Sequence, residues 1–310
     1  MCYIYSIKDG IYFMPEKSKY KFTPVLGWSV SRYDTFKKCK RQYYYQYYGK
    51  YDKEVSQSKI NFLKYLTSIP LEIGNVVHDV IAVLLNRLKK TQEQLDVERF
   101  IDFSSRESEK QIKRKVFFET YYSIREKILV SDLYPKVETC LKSFLNSNWK
   151  NWVFSEGIKN SDKWIIEPGD FGETRVNGLK AYLKVDFLFP KDGRFVVLDW
   201  KTGKKDVDKH ENQLIGYVYY AMMKFGFYPH ADKVDAYIIY LGEDYNELKA
   251  VINEYDISRF EDKTKEETEN MYKYCGDIEN NIPVGKDEFK MTDNLNICRF
   301  CNYKELCGRN

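Results

Sequence analysis

An apolar run that ends in charged residues is the feature of this chain that most limits its fold. Residues 194–201 read RFVVLDWK, so four apolar residues precede Asp199 and Lys201. Such a run predicts a strand buried on both faces, and strands of this kind belong to sheets that are covered by helices. Because side chains alternate along a strand, Asp199 and Lys201 share one face. An ionised group on a buried strand needs a partner or a metal, so this segment predicts an α/β core with a polar site.

The rest of the chain divides into a helical part and a strand-rich part. Residues 29–151 are mostly helical in pattern, with a helix-capping signal at Ser31 and Asp34 and a helix of about 15 residues that includes His78. From residue 163 onward, strands alternate with turns, and Asn177-Gly178 and Asp192-Gly193 favour hairpins. The predicted elements after these hairpins are a helix at 208–226, strands at 233–241 and 247–253, and a helix at 257–280.

A second carboxylate lies on the preceding predicted strand. Residues 179–189, LKAYLKVDFLF, fit a single strand with Tyr182, Lys184 and Asp186 on one face. Two carboxylates on adjacent strands suit a hard divalent cation such as magnesium, which prefers carboxylate oxygens and lowers the pKa of a bound water. A solvated strand face with a charge at every second position has the same pattern. These residues alone therefore leave both interpretations open.

Composition excludes two classes of protein. Hydrophobic residues make up 43% of the 310, enough for a packed core, so disorder throughout the chain is excluded. No stretch approaches the roughly 18 uncharged apolar residues of a membrane helix. The first ten residues lack the basic and apolar segments of a secretion signal. We therefore expect a cytoplasmic protein that does not associate with membranes.

Basic and aromatic residues are mixed in one segment, KKCKRQYYYQYYGKY at 37–51. Rings that stack on bases, beside cations that meet phosphates, suit a single-stranded nucleic acid. A helix with a buried tyrosine face and a solvated basic face has the same composition. Composition alone favours this second interpretation.

The cysteines predict another site. Seven are present, and an odd number without a secretion signal argues against a disulfide framework. Cys298, Cys301 and Cys307 form a C-x2-C-x5-C pattern that is typical of metal or cluster ligation. Zinc and an iron–sulfur cluster are both open at this point, because zinc also accepts four thiolates. Four cysteines lie outside this pattern. Of these, Cys2, Cys140 and Cys275 are interpreted as ordinary thiols.

The carboxylates and the lysine belong to a pattern that resembles a known family. Asp186, then Asp199-x-Lys201 after an apolar strand, then Gln213-x3-Tyr217 on the next helix resembles the PD-(D/E)XK nuclease superfamily. The resemblance implies a restriction-endonuclease-like α/β fold, in which a mixed β-sheet core is flanked by helices.

Two further motifs resemble one branch of that superfamily. The Gln-x3-Tyr element and Gly74-x3-His78 resemble the RecB-like branch. Cys39, taken with the three late cysteines, resembles its iron–sulfur members: the exonuclease V group, the CRISPR spacer-acquisition nucleases, and the nuclease domains of AddB and of eukaryotic Dna-type helicase–nucleases. These members usually have proline after the first cysteine, whereas residue 40 here is lysine. The pattern resembles the [4Fe–4S] nucleases much more than a zinc site.

The resemblance also implies an organisation and a set of roles. One integrated domain would comprise a helical region at 1–160 with a large insertion, a nuclease core at 161–255, and a C-terminal iron–sulfur region at 256–310. The implied ligands of magnesium or manganese are His78, Asp186, Asp199 and the backbone carbonyl of Trp200. Lys201 would be catalytic, and Gln213 and Tyr217 would steady the site or the nucleic acid. The implied cluster ligands are Cys39, Cys298, Cys301 and Cys307.

An early acidic residue of many relatives has two candidates here, Glu167 and Glu173. The whole pattern predicts a metal-dependent DNA nuclease, acting as an exonuclease on single-stranded ends, with a structural cluster. Its role is open among DNA repair, recombination, CRISPR adaptation and phage defence, with a helicase or a CRISPR-adaptation protein as an expected type of partner. The alternative is a non-catalytic subunit that binds nucleic acid or supports an assembly through the same fold.

Overall fold

A five-stranded mixed sheet between two layers of helices lies at the centre of the structure. The computed structural model describes residues 19–91 and 93–309. Its α-helices are α1 (Val30–Lys38), α2 (Lys40–Tyr48), α3 (Gln57–Lys64), α4 (Ile69–Leu88), α5 (Val97–Arg114), α6 (Phe118–Tyr121), α7 (Val130–Asn146), α8 (Asn148–Ser155), α9 (Val207–Phe225), α10 (Glu254–Tyr272) and α11 (Leu295–Cys298). Its strands are β1 (Ile165–Ile166), β2 (Glu173–Val176), β3 (Leu179–Tyr182), β4 (Phe187–Lys191), β5 (Arg194–Lys201), β6 (Val234–Tyr240), β7 (Asn246–Ala250), β8 (Cys275–Asp277) and β9 (Ile282–Pro283).

The order of the main sheet is β1-β4-β5-β6-β7. Only β5 and β6 run parallel, and α9 makes the crossover between them. The other neighbours pair antiparallel. Two separate hairpins, β2–β3 and β8–β9, lie outside this sheet. This architecture confirms the predicted mixed α/β fold.

Strand β5 separates two hydrophobic cores. Val196 and Leu198 face a core built with α4, α5, α7 and α8, whereas Val197 faces a core built with α1, α2, α9 and α10. Residues 196–200 are all buried, as expected for a strand covered on both faces. Alternation places Asp199 and Lys201 on the α9 side.

Both predicted hairpin turns are present. Val176 pairs with Leu179, and Lys191 pairs with Arg194, so each connection has two residues. All four connecting residues have positive φ, the geometry in which an Asn-Gly or Asp-Gly pair is favoured.

The prediction of one continuous strand over 179–189 is wrong. The chain leaves β3 after Tyr182 and enters β4 at Phe187, and these two strands belong to different sheets. Leu183 instead donates its backbone N–H to Gly172, next to the hairpin. Asp186 therefore precedes β4, and a common strand with Tyr182 and Lys184 does not set its direction.

Helix boundaries also differ from the sequence pattern. The cap of α1 is Ser29, whose hydroxyl accepts the N–H of Arg32, and Ser31 lies inside the helix. Helix α4 begins eight residues before the first residue of the apolar repeat, Val77, since Pro70 suits a first helical turn. By length and composition α4 could cross a membrane, but its apolar residues pack against α5 and α7 in the core.

Four of the six tyrosines in the basic–aromatic segment are buried in the protein, and the other two are half-buried. Tyr43, Tyr44, Tyr45 and Tyr48 are each at most 2% exposed and pack around Phe289 and Tyr303. The interpretation as a helix with a buried tyrosine face is therefore correct. These rings do not offer a stacking surface for bases.

Candidate active site and cysteine cavity

The register of two strands brings the two predicted carboxylates together. Phe187 pairs with Leu198 across β4 and β5, and continuing this antiparallel register by one residue places Asp186 opposite Asp199. Asp186 is 9% exposed and Asp199 is 1% exposed. An Oδ2 atom of Asp186 accepts the backbone N–H of Trp200 at 2.8 Å, which fixes this carboxylate against the end of β5.

His78 approaches the same strand end from α4. Its Nε2 atom lies 2.9 Å from the carbonyl oxygen of Trp200, and its Nδ1 atom lies 3.4 Å from Oδ1 of Asp186. A Cβ added at Gly74, one turn earlier, would lie 3.5 Å from the hydroxyl of Thr202. That is an ordinary contact, so a larger side chain would fit at position 74 and the packing of α4 against Thr202 does not require glycine there.

Glu167, and not Glu173, is the early acid that lies at the site. Nδ1 of His78 is 4.0 Å from Oε1 of Glu167, and ligand atoms of His78, Glu167 and Asp186 all lie within 4.8 Å of one another. The backbone N–H of Glu167 donates to the carbonyl of Asp186 at 3.0 Å. Glu173 instead pairs with Arg175 at 2.9 Å in the separate hairpin.

Lys201 forms an ion pair with Asp199. The Oδ2 atom of Asp199 is buried and has no hydrogen bond of good geometry among the described residues, so this charge is its principal partner. Lys201 itself retains a side chain that is 20% exposed. We call His78, Glu167, Asp186, Asp199 and Lys201 the sheet-edge site.

The charges of the sheet-edge site shift one another. Burial raises the pKa of Asp199, and the charge of Asp186 raises it further, to about 6. Burial also acts to raise the pKa of Asp186, but the charge of His78 and its hydrogen bond outweigh burial and lower that pKa. Burial acts to lower the pKa of His78, yet Asp186, Asp199 and Glu167 together raise it to about 9. A concentration of negative charge is thus enclosed at the end of β5.

These donors suit a hard divalent ion. Ligand atoms of His78, Glu167 and Asp186 lie within 4.8 Å of one another, and the carbonyl oxygen of Trp200 is 2.9 Å from Nε2 of His78. The carboxylate of Asp199 lies opposite Asp186, with Lys201 as its ion-pair partner. Oxygen-rich sets of this kind bind magnesium or manganese, with an imidazole as a further acceptable ligand. Asp199 is not part of the group whose ligand atoms lie within 4.8 Å of one another, although the charge of Asp186 acts on Asp199 and the charge of Asp199 acts on His78.

Helix α9 supplies two more of the predicted residues. The side-chain amide of Gln213 donates to the hydroxyl of Tyr217, one turn later on the same helix. The Tyr217 hydroxyl faces Asp199; burial, the charges of Asp199 and Asp186, and a hydrogen bond with Asp199 raise its pKa far above the usual value. The pair therefore lies directly behind the carboxylate of Asp199.

A family model described as the PD-(D/E)XK nuclease superfamily matches residues 27–308. This match covers most of the chain, including both the sheet-edge site and the late cysteines. The chain belongs to the PD-(D/E)XK nuclease superfamily. A search of curated proteins returned no match. PD-(D/E)XK proteins are generally phosphodiesterases that use divalent metals, in agreement with the donors at the end of β5.

Sequence reasoning missed one residue of this PD-(D/E)XK site. His210 on α9 is 7% exposed, and its Nδ1 atom lies 2.7 Å from the hydroxyl of Tyr240. The charge of Lys201 reaches its ring. Its position three residues before Gln213 was the available signal, since residues at this spacing are neighbours on a helix surface.

The four cysteines of the predicted cluster line one cavity. Cys39 between α1 and α2 meets Cys298, Cys301 and Cys307 from the last described segment. We call this the cysteine cavity. Cys275 lies apart, beside Tyr48, Cys140 is buried in α7, and Cys2 lies outside the described residues.

The sulfurs of the cysteine cavity are spread out and receive several donors. In the described part of the chain, no three cysteine sulfurs lie within 4.8 Å of one another, whereas four thiolates around one zinc ion would be about 3.8 Å apart. Arg309 donates to Sγ of Cys298 at 3.1 Å, and the backbone N–H of Gln42 donates to Sγ of Cys39 at 3.4 Å. Burial raises the pKa of Cys301 to about 12, and the other three sulfurs add to this effect.

Proposed function

We propose that this protein is a metal-dependent deoxyribonuclease that degrades DNA from single-stranded ends and carries a structural [4Fe–4S] cluster. The observation that carries the nuclease proposal is the convergence of His78, Glu167, Asp186, Asp199 and Lys201 at the end of one buried strand. Asp186, Asp199 and Lys201 come from the superfamily pattern, and His78 comes from the motif of the RecB-like branch. These four residues meet although they lie on α4, just before β4 and on β5.

His78, Asp186, Asp199 and the carbonyl of Trp200 would hold magnesium or manganese, with Glu167 as a further carboxylate. The bound ion supplies a water of lowered pKa and positive charge next to the phosphate. Gln213 and Tyr217 orient Asp199 from behind. Lys201 keeps a partly exposed ammonium at the strand end, where it stabilises the negative charge that develops on the phosphate during cleavage.

The cysteine cavity fits a cluster better than a single zinc ion. No three of its sulfurs lie within 4.8 Å of one another, and N–H groups of Arg309 and Gln42 donate to two of them, as donors usually do to cluster thiolates. Ligation joins Cys39 to residues 259 or more positions later. We propose that the cluster is a structural tie, because the described sheet-edge ligands include no cysteine.

The preference for single-stranded ends rests on the resemblance of the cysteine pattern to the iron–sulfur nucleases. The tyrosines of α2 do not support it, because their rings are buried. A part in DNA repair, recombination, CRISPR adaptation or phage defence, a helicase or CRISPR-adaptation partner, and a cytoplasmic location remain predictions from the sequence.

The test is incubation of purified protein with end-labelled single- and double-stranded DNA in magnesium, manganese or a chelator. We expect metal-dependent shortening of the single-stranded substrate from its ends, and no cleavage in the chelator. Binding of DNA without cleavage in either metal would favour the non-catalytic alternative. Internal cuts in a circular single strand would contradict the exonuclease assignment.

A further inference from the structure

A hydrogen-bonded pair that the proposed chemistry does not use lies beside Lys201. Lys201 on β5 is in register with Tyr240 on the parallel strand β6, so both residues lie at the C-terminal ends of neighbouring strands. The hydroxyl of Tyr240 is 2.7 Å from Nδ1 of His210, which lies in the first turn of α9. Both residues are buried, at 4% and 7% exposure. This arrangement fixes the ring of His210 close to the proposed reaction centre.

The direction of the proton in this pair follows from the chemistry of the two groups. Within the described residues, the hydrogen bond of the Tyr240 hydroxyl is to Nδ1 of His210. A phenol is a better donor than acceptor, and an unprotonated imidazole nitrogen is a good acceptor, so Tyr240 donates to Nδ1 of His210. The neutral imidazole then carries its hydrogen on Nε2.

The Nε2 atom of His210 is available to a ligand. No hydrogen bond to Nε2 occurs within the described residues, and Nε2 is not among the fully buried polar atoms that lack a partner. Burial and the charge of Lys201 lower the pKa of His210, which favours the neutral ring. Neutral N–H donors held by a second hydrogen bond are well suited to a phosphate oxygen.

The face of α9 that carries His210 is the face that serves the site. His210 and Tyr217 are seven residues apart, so they project from nearly the same side of the helix, and Gln213 lies between them. Tyr217 reaches Asp199, whereas His210 lies two turns nearer the start of α9, on the Lys201 side. The row therefore continues from the carboxylate of Asp199 toward Lys201.

We propose that His210 donates its Nε2 hydrogen to a non-bridging phosphate oxygen of the bound DNA, and that Tyr240 positions its ring for this contact. The proposal rests on the proposed nuclease function and assigns a phosphate-binding residue to the same site. A purely structural His210 would hold Tyr240 in place and make no contact with DNA.

The test is a chemical double-mutant cycle in the binding of a single-stranded oligonucleotide in a chelator. Methylphosphonate is placed at one phosphate at a time, which replaces one non-bridging oxygen with a methyl group and removes the negative charge at that position. In the wild-type protein, loss of the contacted phosphate should weaken binding about tenfold. In His210→Phe, which keeps a ring but has no donor, that penalty should vanish at one position and persist at the others.

Three variants separate the contact from a structural role. His210→Gln places an amide N–H near the position of Nε2 and should restore most of the penalty. Tyr240→Phe removes the positioning hydroxyl and should leave a partial penalty. His230→Phe changes an exposed histidine before β6 and should keep the complete wild-type pattern. Thermal unfolding of each variant shows whether the fold is retained, and the reduced penalty expected at the same phosphate in Tyr240→Phe carries the test if the His210→Phe variant does not fold.

The outcomes distinguish this proposal from the function on which it rests. An unchanged penalty at every phosphate in His210→Phe, with a wild-type protein that binds and cleaves DNA, would overturn the role of His210 alone. A uniform loss of affinity that His210→Gln does not restore would show a structural role. A wild-type protein that neither binds nor cleaves DNA would overturn both proposals.

Discussion

The sheet-edge site and the cysteine cavity are built in opposite ways. At the sheet edge, strand register and a backbone hydrogen bond to Asp186 place the carboxylates, and His78 and Lys201 fit against them. In the cysteine cavity, two distant parts of the chain meet, and no three sulfurs are close enough to share one ion. The fold organises the first site. In the second, the proposed cluster would join the two parts of the chain. Loss of function should therefore take a different form at each.

The strongest test of this contrast is Lys201→Ala. We expect cleavage to fall by about a thousandfold or more, because a positioned charge at the phosphate is removed. The melting temperature and the affinity for DNA should change little, since the fold organises the other site residues. Cleavage rates under single-turnover conditions measure the effect, and Lys249→Ala, whose lysine pairs with Asp235 on β6, is the matched control. A variant that cleaves at nearly the wild-type rate would remove Lys201 from the mechanism.

The reverse result is expected for Cys39→Ala. Anaerobically purified wild-type protein should be brown, with iron and acid-labile sulfide near four each per chain. The variant should lose the iron and about 3 kcal/mol or more of stability, by comparison with the loss of a long-range crosslink. Iron analysis and thermal unfolding measure both effects, and Cys275→Ala serves as the control because Cys275 lies outside the cavity. Tightly bound zinc in the wild type, or full iron content in Cys39→Ala, would contradict the cluster.

The boundary of the sheet-edge site is tested by comparing two glutamates. Glu167→Gln should raise the magnesium concentration that gives half-maximal cleavage by about 10- to 100-fold, because the carboxylate lies with His78 and Asp186. Glu173→Gln breaks only an ion pair with Arg175 and should keep the wild-type metal requirement. Titration of cleavage with metal gives the half-saturating concentration for each. Equal effects of the two substitutions would show that proximity to His78 is unimportant.

An ion pair that depends on no ligand also joins the N-terminal helices to the C-terminal segment, and acid should weaken this ion pair. The buried carboxylate of Asp52 pairs with Lys286 at 2.9 Å, which joins the segment after α2 to the segment before α11. Burial acts to raise the pKa of Asp52, but Lys286 and the N–H groups of Val55 and Glu54 lower it below the usual range. A lowered carboxyl pKa contributes stability above the unfolded value of about 3.9, and that contribution disappears as the pH falls through the folded value.

Asp52→Asn should therefore cost about 2 kcal/mol at pH 7 and progressively less below about pH 4. Unfolding by denaturant at several pH values measures the difference between wild type and variant. Asp287→Asn, at an exposed carboxylate 4.0 Å from Arg41, should have little effect at any pH. A difference that stays constant as the pH falls would show that the charge of Asp52 is not the cause.

The parts of the molecule that follow from local pattern were predictable from sequence. Strand β5, both two-residue turns and helix α9 are each specified by periodicity or by residues with a strong turn preference. The family motif also named His78, Asp186, Asp199 and Lys201 correctly as residues that the fold brings together. Their roles in catalysis stay predictions.

Tertiary structure decided what the pattern left open. The break before Asp186 arises because Leu183 bonds to Gly172 in another part of the chain, and no local signal marks it. The choice of Glu167 over Glu173 depends on tertiary position, because Glu167 follows β1 of the main sheet whereas Glu173 lies in the separate β2–β3 hairpin. His210 gave no motif of its own, because its partner Tyr240 is 30 residues away on a different strand.

The separation between Cys39 and Cys298 has a consequence for the order of biosynthesis. All residues of the sheet-edge site lie between positions 78 and 201, and the main sheet ends with β7 at Ala250. A nascent chain could therefore build the whole sheet while Cys39 still waits for partners that the ribosome has not yet made. We expect chains stopped before residue 298 to contain every proposed catalytic residue and no iron. With the proposed cluster, iron content would then report that translation has passed Cys307, so cluster insertion would follow formation of the sheet.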